Sequence, residues 1–186
     1  MRTLVTDRLH LSPFGAGDAP LLVALDADPE VVRYVHLGPF TPPPPGRYEA
    51  EVLPMFLKDR GPACGFWQVR PVFDNRPGPF AGWVSLRPVA EARWYAVAGD
   101  ELNLDPRSVE LGYRFARWSW GRGYATEACR AILDRAARRG AGGFCAIRQE
   151  DNAGSARVMR KLGFRPVRTF QLPGVPRPTV LELKQE

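Results

Sequence analysis

The feature that most constrains this chain is a glycine-containing segment between a strand pattern and a helix pattern. The segment reads Trp120-Gly121-Arg122-Gly123-Tyr124-Ala125-Thr126. Before it, residues 109–115 alternate apolar and polar side chains, as half-buried strands do. After it, apolar side chains recur with the period of an amphipathic helix, at positions 125, 128, 129, 132, 133 and 136. We expect a strand, a tight turn and then the strongest helix of the chain.

The other patterns predict one mixed α/β (α+β) domain over residues 1–186. Further strands are expected at residues 8–12, 64–73, 80–86, 144–147, 164–172 and 179–183. Helices are expected after Asp18, Asp28 and Asn152, each a residue type that caps helices, and over residues 47–58, where Pro54 must kink or restart the helix. Residues 88–106 carry no pattern and are interpreted as an irregular insertion.

Charge is distributed unevenly along the chain. Residues 107–168 hold 14 bases and 5 acids, whereas the chain as a whole has a net charge of +6. This basic region is either a set of solvated arginines or a site for a polyanion, which would be nucleic acid or a phosphorylated cofactor. A nucleic-acid site would use the arginines of the strongest helix, Arg130, Arg135, Arg138 and Arg139.

Other sequence features narrow the class of protein. No apolar run approaches the roughly 20 residues of a membrane span, and the N-terminus has no signal-peptide pattern, so we expect a cytoplasmic protein. Cys64, Cys129 and Cys145 are scattered without a C-x-x-C spacing, which predicts no metal site. The apolar patterns around Cys129 and Cys145 predict that these two thiols are buried. His10 is expected on a half-buried strand and His36 at a helix end.

A glycine turn before a helix suits phosphate binding. The first amides of a helix have no intrahelical acceptor and carry partial positive charge, and glycine lets a phosphate approach the backbone. The segment is neither a Walker A loop nor a complete G-x-G-x-x-G fingerprint. A plain strand–helix turn is the alternative interpretation.

Two longer motifs resemble the GNAT acetyltransferase superfamily, and its branch of ribosomal-protein N-terminal acetyltransferases (RimJ/RimL-type) in particular. The first motif is Glu110-Leu111-Gly112-Tyr113 with the segment from Trp120 to Ala128. The second runs from Asn152 through Ser155 and Arg160 to Phe164, and Thr6-Asp7-Arg8-Leu9-His10-Leu11 is similar to the branch's first strand. The resemblance implies a mostly antiparallel sheet of about seven strands flanked by helices, with a splay between the fourth and fifth strands.

The resemblance also implies a cofactor, acetyl-CoA, and the residues that bind it. Its pyrophosphate would lie on Arg122, Gly123, Tyr124, Ala125 and Thr126. Its pantetheine arm would pair with Tyr113, Phe115 and Ala116. Asn152 and Ser155 would lie near the pantetheine and the sulfur. The superfamily often has Gln or Arg where Trp120 stands, so no side-chain role carries over to that position.

The implied reaction is transfer of an acetyl group to a primary amine by direct attack in a ternary complex. It needs a base, an oxyanion donor and protonation of the leaving thiolate. Glu110 is the candidate base, directly or through a water, or else a carboxylate paired with a surface arginine. A backbone N–H near Phe115 is the candidate oxyanion donor. Ser155 is the candidate group at the sulfur, or else a helix-capping hydroxyl.

The acceptor cannot be read from the sequence, because fold resemblance does not fix a substrate. A protein N-terminus and a small-molecule amine are both open, as are a longer or acidic acyl group and a homodimer. Two other functions remain as alternatives. The first is a non-catalytic acyl-CoA-binding sensor, and the second is a nucleic-acid-binding domain. We expect no membrane partner and no nucleic acid.

Overall fold

The computed structural model describes residues 2–34, 44, 46–99 and 101–185. One open sheet runs through this part of the chain in the order β1-β2-β3-β5-β6-β7-β9-β8, with the short β4 beside β3. Among the described strands, only β6 and β7 pair in parallel. The strands are β1 Leu4–Val5, β2 Leu9–Pro13, β3 Gly65–Phe73, β4 Arg76–Pro77, β5 Gly82–Pro88, β6 Val109–Phe115, β7 Phe144–Gln149, β8 Phe164–Phe170 and β9 Thr179–Lys184.

The helices differ greatly in length. A π-helical turn, Tyr48–Val52, runs into α3, and 3₁₀ turns span Val89–Glu91 and Arg117–Ser119. Pro54 lies in the first turn of α3, so the helix restarts there as expected, since proline is tolerated at that position. The α-helices are α1 Ala19–Asp26, α2 Pro29–Val32, α3 Leu53–Leu57, α4 Arg93–Ala98, α5 Tyr124–Ala137 and α6 Ala153–Lys161.

The main core lies between the sheet and the face covered by α5 and α6. Ala128, Cys129, Ile132 and Leu133 of α5 are almost completely buried in it, with strand residues such as Leu111. These are the positions that the helical period marks as apolar. Two smaller clusters cover the opposite face, one around α4 and one around α1 and α3. Both faces of the sheet therefore carry packed helices.

The predicted fold class is confirmed. Without the two-residue strands β1 and β4, seven strands remain, and β6 and β7 are the fourth and fifth of them in chain order. Cys129 and Cys145 are buried, as expected, and so is Cys64. His10 is half-buried on β2, whereas His36 and residues 38–43 lie outside the described residues. None of the helices in the described ranges is long and apolar enough to cross a membrane.

Two local predictions were wrong. Residues 88–106 are not irregular throughout, because they contain a 3₁₀ turn and α4, whose Trp94 packs in the second cluster. Tertiary packing orders a segment that has no helical period of its own. Asp18 does not cap α1 with its side chain, because its carboxylate accepts hydrogen bonds from the Gly15 N–H at 2.7 Å and from Gln68 Nε2 at 3.0 Å.

Candidate active site

Strands β6 and β7 separate soon after they begin to pair. Their register contains only Val109 opposite Phe144 and Glu110 opposite Cys145, although both strands lie wholly within the described ranges. The Val109 N–H donates to the Gly143 carbonyl on the β7 side, at 2.9 Å. Because strand peptides alternate in direction, the peptide groups of Tyr113 and Phe115 face the same side. Beyond Glu110 that side is a widening gap, which offers backbone groups to an extended ligand.

Trp120 closes one end of this gap. Its indole Nε1 donates to the Phe115 carbonyl at 2.7 Å, while the side chain stays 48% exposed. The carbonyl at the last position of β6 is thereby satisfied by a side chain of the following loop. The sequence analysis carried no side-chain role over to Trp120, because the superfamily often has Gln or Arg at this position.

The loop after β6 presents backbone amides at the start of α5. Gly121 and Gly123 have φ values of 74° and 81°, a left-handed conformation that glycine adopts without strain. Gly123 is the N-cap of α5 and has no side chain to occupy the helix terminus. The first backbone hydrogen bond of α5 is donated by Glu127 to Gly123, at 3.0 Å, so the amides of residues 124–126 precede it. This terminus can bind an anion.

Arg122 lies exposed at the centre of the loop. Its Nε donates to the Trp118 carbonyl at 3.1 Å, which places the guanidinium group beside the glycine turn. Tyr124 is different, because its ring is buried in the main core and only its backbone can face a ligand. Ala125 and Thr126 are partly exposed.

Asn152 and Ser155 begin α6 next to the gap. The Asn152 Oδ1 accepts the Ser155 N–H at 3.0 Å, so Asn152 caps the helix as expected. The Ser155 hydroxyl does not cap the helix and instead shares a hydrogen bond with the Tyr113 hydroxyl, 2.8 Å between the oxygens. Burial, first of all, raises the pKa of Tyr113 well above its ordinary value. The phenol is therefore protonated at neutral pH and can donate to Ser155.

Glu110 lies on the opposite face of β6 from Tyr113. Its carboxylate accepts hydrogen bonds from Arg87 Nε at 2.5 Å and from Trp94 Nε1 at 2.8 Å. The side chain is 6% exposed and that of Arg87 is 27% exposed, so the ion pair is largely shielded from water. Both carboxylate oxygens are engaged, which fixes their position beside the strand.

A second buried ion pair lies further along the same face of β6. Arg114 Nη1 pairs with Asp26 Oδ1 at the end of α1, and Tyr48 donates its hydroxyl to Asp26 Oδ2 at 3.0 Å. Burial and the adjacent Asp26 carboxylate raise the pKa of Tyr48 to about 12. Arg114 also lies over the Trp83 ring, 5.4 Å from its centroid. Between the two ion pairs the face carries only Gly112.

A cavity of about 450 Å³ opens beside the end of β6. Its polar rim is the ion pair of Arg117 Nε with Asp28 Oδ2, at 3.2 Å. The remaining lining is apolar and comes from α1, α2, the segment before β5 and the segment after β6, namely Leu21, Ala24, Leu25, Val31, Phe80, Ala116 and Trp118. A small organic group would fit there, next to the strand whose peptide groups face the gap.

A comparison of the sequence with models of known protein families shows to which family the chain belongs. The model of the acetyltransferase (GNAT) domain matches residues 8–165, which is most of the chain. The chain belongs to the GNAT acetyltransferase family. The segment from β2 to the start of β8 is therefore the GNAT domain, and it contains the gap, the glycine loop and the start of α6.

Similar proteins and structures extend this finding. An uncharacterized Bacillus subtilis protein, YkkB, is 42% identical over 64 residues, which is 34% of this chain and 37% of that relative. The alignment thus spans little more than a third of the curated relative's length. A putative GNAT-family acetyltransferase from Bordetella pertussis has a TM-score of 0.74 at 22% identity, with all of both chains covered.

A structure of RimL, a ribosomal L7/L12 alpha-N-protein acetyltransferase, in complex with coenzyme A, shares the fold as well. It has a TM-score of 0.73 at 17% identity, with 98% of this chain and 97% of that chain covered. At this identity the likeness shows the fold alone.

The predicted site residues divide between two places in the GNAT domain. Tyr113, Phe115, Asn152 and Ser155 line or flank the gap, and residues 122–126 form the loop at its end. Glu110 is on the other face of β6. Sequence reasoning missed the pairing of Tyr113 with Ser155 and the Asp26–Arg114–Tyr48 network, because each joins residues more than 20 positions apart in the chain.

Proposed function

We propose that this GNAT domain is an N-acetyltransferase that moves the acetyl group of acetyl-CoA to a primary amine. The observation that carries the proposal is the continuity of the gap between β6 and β7 with the glycine loop at the start of α5. An extended, amide-containing chain suits the gap, and a diphosphate suits the loop. Coenzyme A has both parts in that order.

The binding residues follow from this placement. The pyrophosphate is assigned to Arg122 and to the amides of Gly123, Tyr124, Ala125 and Thr126. The pantetheine arm is assigned to the peptide groups of β6 at Tyr113 and Phe115 and to Ala116 after the strand. Asn152 and Ser155 complete the site at the start of α6.

The reaction is proposed to proceed by direct attack in a ternary complex. The amine nitrogen forms a bond to the thioester carbon, the carbon–sulfur bond breaks, and the oxyanion formed between these events accepts a backbone N–H that β6 presents to the gap. Glu110 takes the amine proton, directly or through a water. Ser155, whose hydroxyl is 2.8 Å from that of Tyr113, gives its proton to the leaving thiolate. It regains a proton from solvent, to which Glu110 releases the proton taken from the amine.

The acceptor is proposed to be an amine that approaches from the face of Glu110. That face carries two buried carboxylates, Glu110 and Asp26, each already neutralised by an arginine. The cavity beside Ala116 can take an apolar group attached to the amine. A protein N-terminus, which is the substrate named for RimL, and a small-molecule amine both meet this description.

The first test is a thermal melt with and without saturating acetyl-CoA, with ATP as the anionic control. Ligand at a hundred times its Kd should add about 2.7 kcal/mol, a rise in Tm of roughly 5–10 °C for a chain of this size. A rise with acetyl-CoA alone supports the cofactor assignment. Equal rises with both ligands would contradict it and favour a general anion site. No rise with either ligand would also contradict it and favour a nucleic-acid site.

A second test separates an enzyme from a sensor. CoA release is followed with a panel of amines that includes peptides with free N-termini, polyamines and aminoglycosides. Turnover that depends on one amine class supports the proposal. Tight acetyl-CoA binding without amine-dependent CoA release across the panel would favour a non-catalytic acyl-CoA-binding module.

A further inference from the structure

An acidic side chain lies in the first turn of the helix that is proposed to bind a diphosphate. Glu127 of α5 follows the loop directly, and a carboxylate there competes with any anion for the positive end of the helix dipole. A phosphate site with this residue unpaired would be weakened by like-charge repulsion. The structure shows where the charge of Glu127 is directed instead.

The Glu127 carboxylate is turned onto the turn between β1 and β2. It accepts the Thr6 hydroxyl at 2.6 Å, the Arg8 N–H at 3.1 Å and Arg8 Nε at 2.7 Å, and Arg8 Nη2 lies at 2.6 Å. Burial acts to raise the pKa of Glu127, but the hydrogen bonds from Thr6 and Arg8 outweigh it and lower the pKa. The carboxylate is ionised at neutral pH, and its charge is compensated locally.

Arg8 also contacts the glycine loop itself. Its Nη1 donates to the Arg122 carbonyl at 3.0 Å, and its guanidinium carbon lies 5.3 Å from the centroid of the Tyr124 ring. A Cβ placed on Gly123 would be 3.3 Å from Arg8 Nη2, so the guanidinium packs directly under the N-cap. One side chain thus contacts three consecutive residues of the loop.

The bond to the Arg122 carbonyl sets the direction of the next amide. A trans peptide is planar, and its C=O and N–H point to opposite sides. Since the Arg122 carbonyl points at Arg8, the Gly123 N–H points away from Arg8, toward the side of the loop open to a ligand. The left-handed conformation of Gly123 lets the helix start immediately after this fixed peptide.

We propose that Arg8 is a positioning residue for the diphosphate of coenzyme A, held in place by Glu127 and Thr6. It fixes the Arg122–Gly123 peptide with its amide toward the diphosphate, and it neutralises the carboxylate that would otherwise repel that group. Arg8 is 52% exposed, so its charge also contributes to the potential at the loop. This inference rests on the proposed function, because it assigns a role in binding the same co-substrate.

The test compares two ligands that differ in the diphosphate. Binding of CoA is measured by isothermal titration, and binding of pantetheine, which lacks the diphosphate and the nucleotide, by ligand-observed NMR. Arg8→Ala should raise the Kd for CoA about tenfold to a hundredfold, the range for losing a charge-assisted hydrogen bond, and leave the Kd for pantetheine unchanged. Arg8→Lys, which keeps the charge but cannot reach Glu127 and Arg122 together, should fall between Arg8→Ala and the unaltered protein.

Arg168→Ala is the matched control. Arg168 is 48% exposed and, like Arg8, donates to one backbone carbonyl and one carboxylate, both of Glu101. Its removal should change neither Kd. Adding Glu127→Gln to Arg8→Ala should recover part of the lost CoA affinity, because the uncompensated charge is then gone.

The possible results distinguish a failure of the inference on Arg8 from a failure of the proposed function. If the unaltered protein binds CoA and Arg8→Ala binds it equally well, this inference is wrong and the proposed function stands. The inference is also wrong if Arg8→Ala weakens pantetheine by the same factor as CoA, since that pattern indicates a general structural defect. If the unaltered protein does not bind CoA, the proposed function is wrong and the inference with it.

Discussion

The two faces of β6 are built on different principles. On the α5 side, the side chains that β6 itself presents, from Val109 to Phe115, are neutral, and the polar groups that it offers to a ligand are backbone groups such as the Phe115 N–H. On the opposite side, the strand carries Glu110 and Arg114, each locked in a buried ion pair. Gly112 lies between them, and Ser85 and Trp83 of β5 occupy the place that a side chain there would take.

This difference matches two kinds of recognition. The gap between β6 and β7 would bind an extended, amide-containing chain in one register through backbone groups. Side-chain substitutions along the gap are then tolerated, as long as the two strands stay apart. Buried ion pairs are rigid and costly to disturb, and they position charge for a particular group. We infer that the first face serves the common co-substrate and the second serves the acceptor. The predictions below test this division.

The largest effect is expected at Asp26. Asp26→Ala should lower the free energy of unfolding by about 3–5 kcal/mol, because it leaves the Arg114 charge buried without its partner. Urea unfolding followed by fluorescence measures this change. The double variant Asp26→Leu with Arg114→Met should be much closer to the unaltered protein, since it removes both charges. A loss below about 1 kcal/mol for Asp26→Ala would show that this face is solvated rather than rigid.

Glu110→Gln tests the acceptor face by activity. With the best amine of the panel, turnover should fall about a hundredfold or more if Glu110 is the base, while the Kd for CoA stays the same. Glu182→Gln is the matched control, because Glu182 is also buried on a strand and accepts Arg148 Nε at 2.5 Å. Equal losses of turnover in the two variants would show that Glu110 has only a structural role, as the partner of Arg87.

A smaller effect is expected on the cofactor face. Tyr113→Phe and Ser155→Ala should each cost about 1 kcal/mol of unfolding free energy, since each removes one neutral hydrogen bond. The double variant should cost less than the sum, because the two hydroxyls contact each other. A double-mutant cycle measures the coupling. Additive costs would mean that the two hydroxyls act independently and that Tyr113 does not orient the Ser155 hydroxyl.

Sequence alone predicted the elements on the α5 side of β6 well and the side-chain contacts on its opposite side poorly. The period of α5, the alternation of β6 and the two glycines of the loop are local signals, and each element lies where expected. The contacts of Asp26 with Tyr48 and Arg114 span 22 and 88 positions, and no local pattern encodes them. The same holds for Arg8 and Glu127, which are 119 positions apart. Helix α4 was missed because packing of Trp94, rather than a helical period, orders it.

The smallest effect concerns the acid limb of stability. The pKa of Glu127 is lowered in the folded state, so its contribution to stability is present above the unfolded-state pKa of about 4.3 and is lost as the pH falls through the lower folded-state value. The unaltered protein should therefore lose stability between about pH 5 and pH 3 more steeply than Glu127→Gln, and the two curves should run parallel at pH 6–8. Urea midpoints at a series of pH values measure both.

Asp105→Asn is the comparison variant, because the pKa of Asp105 is also lowered, by hydrogen bonds from Arg107, but at an exposed site. If Asp105→Asn flattens the acid limb as much as Glu127→Gln does, the contacts between the β1–β2 turn and α5 contribute no more to stability than a surface ion pair.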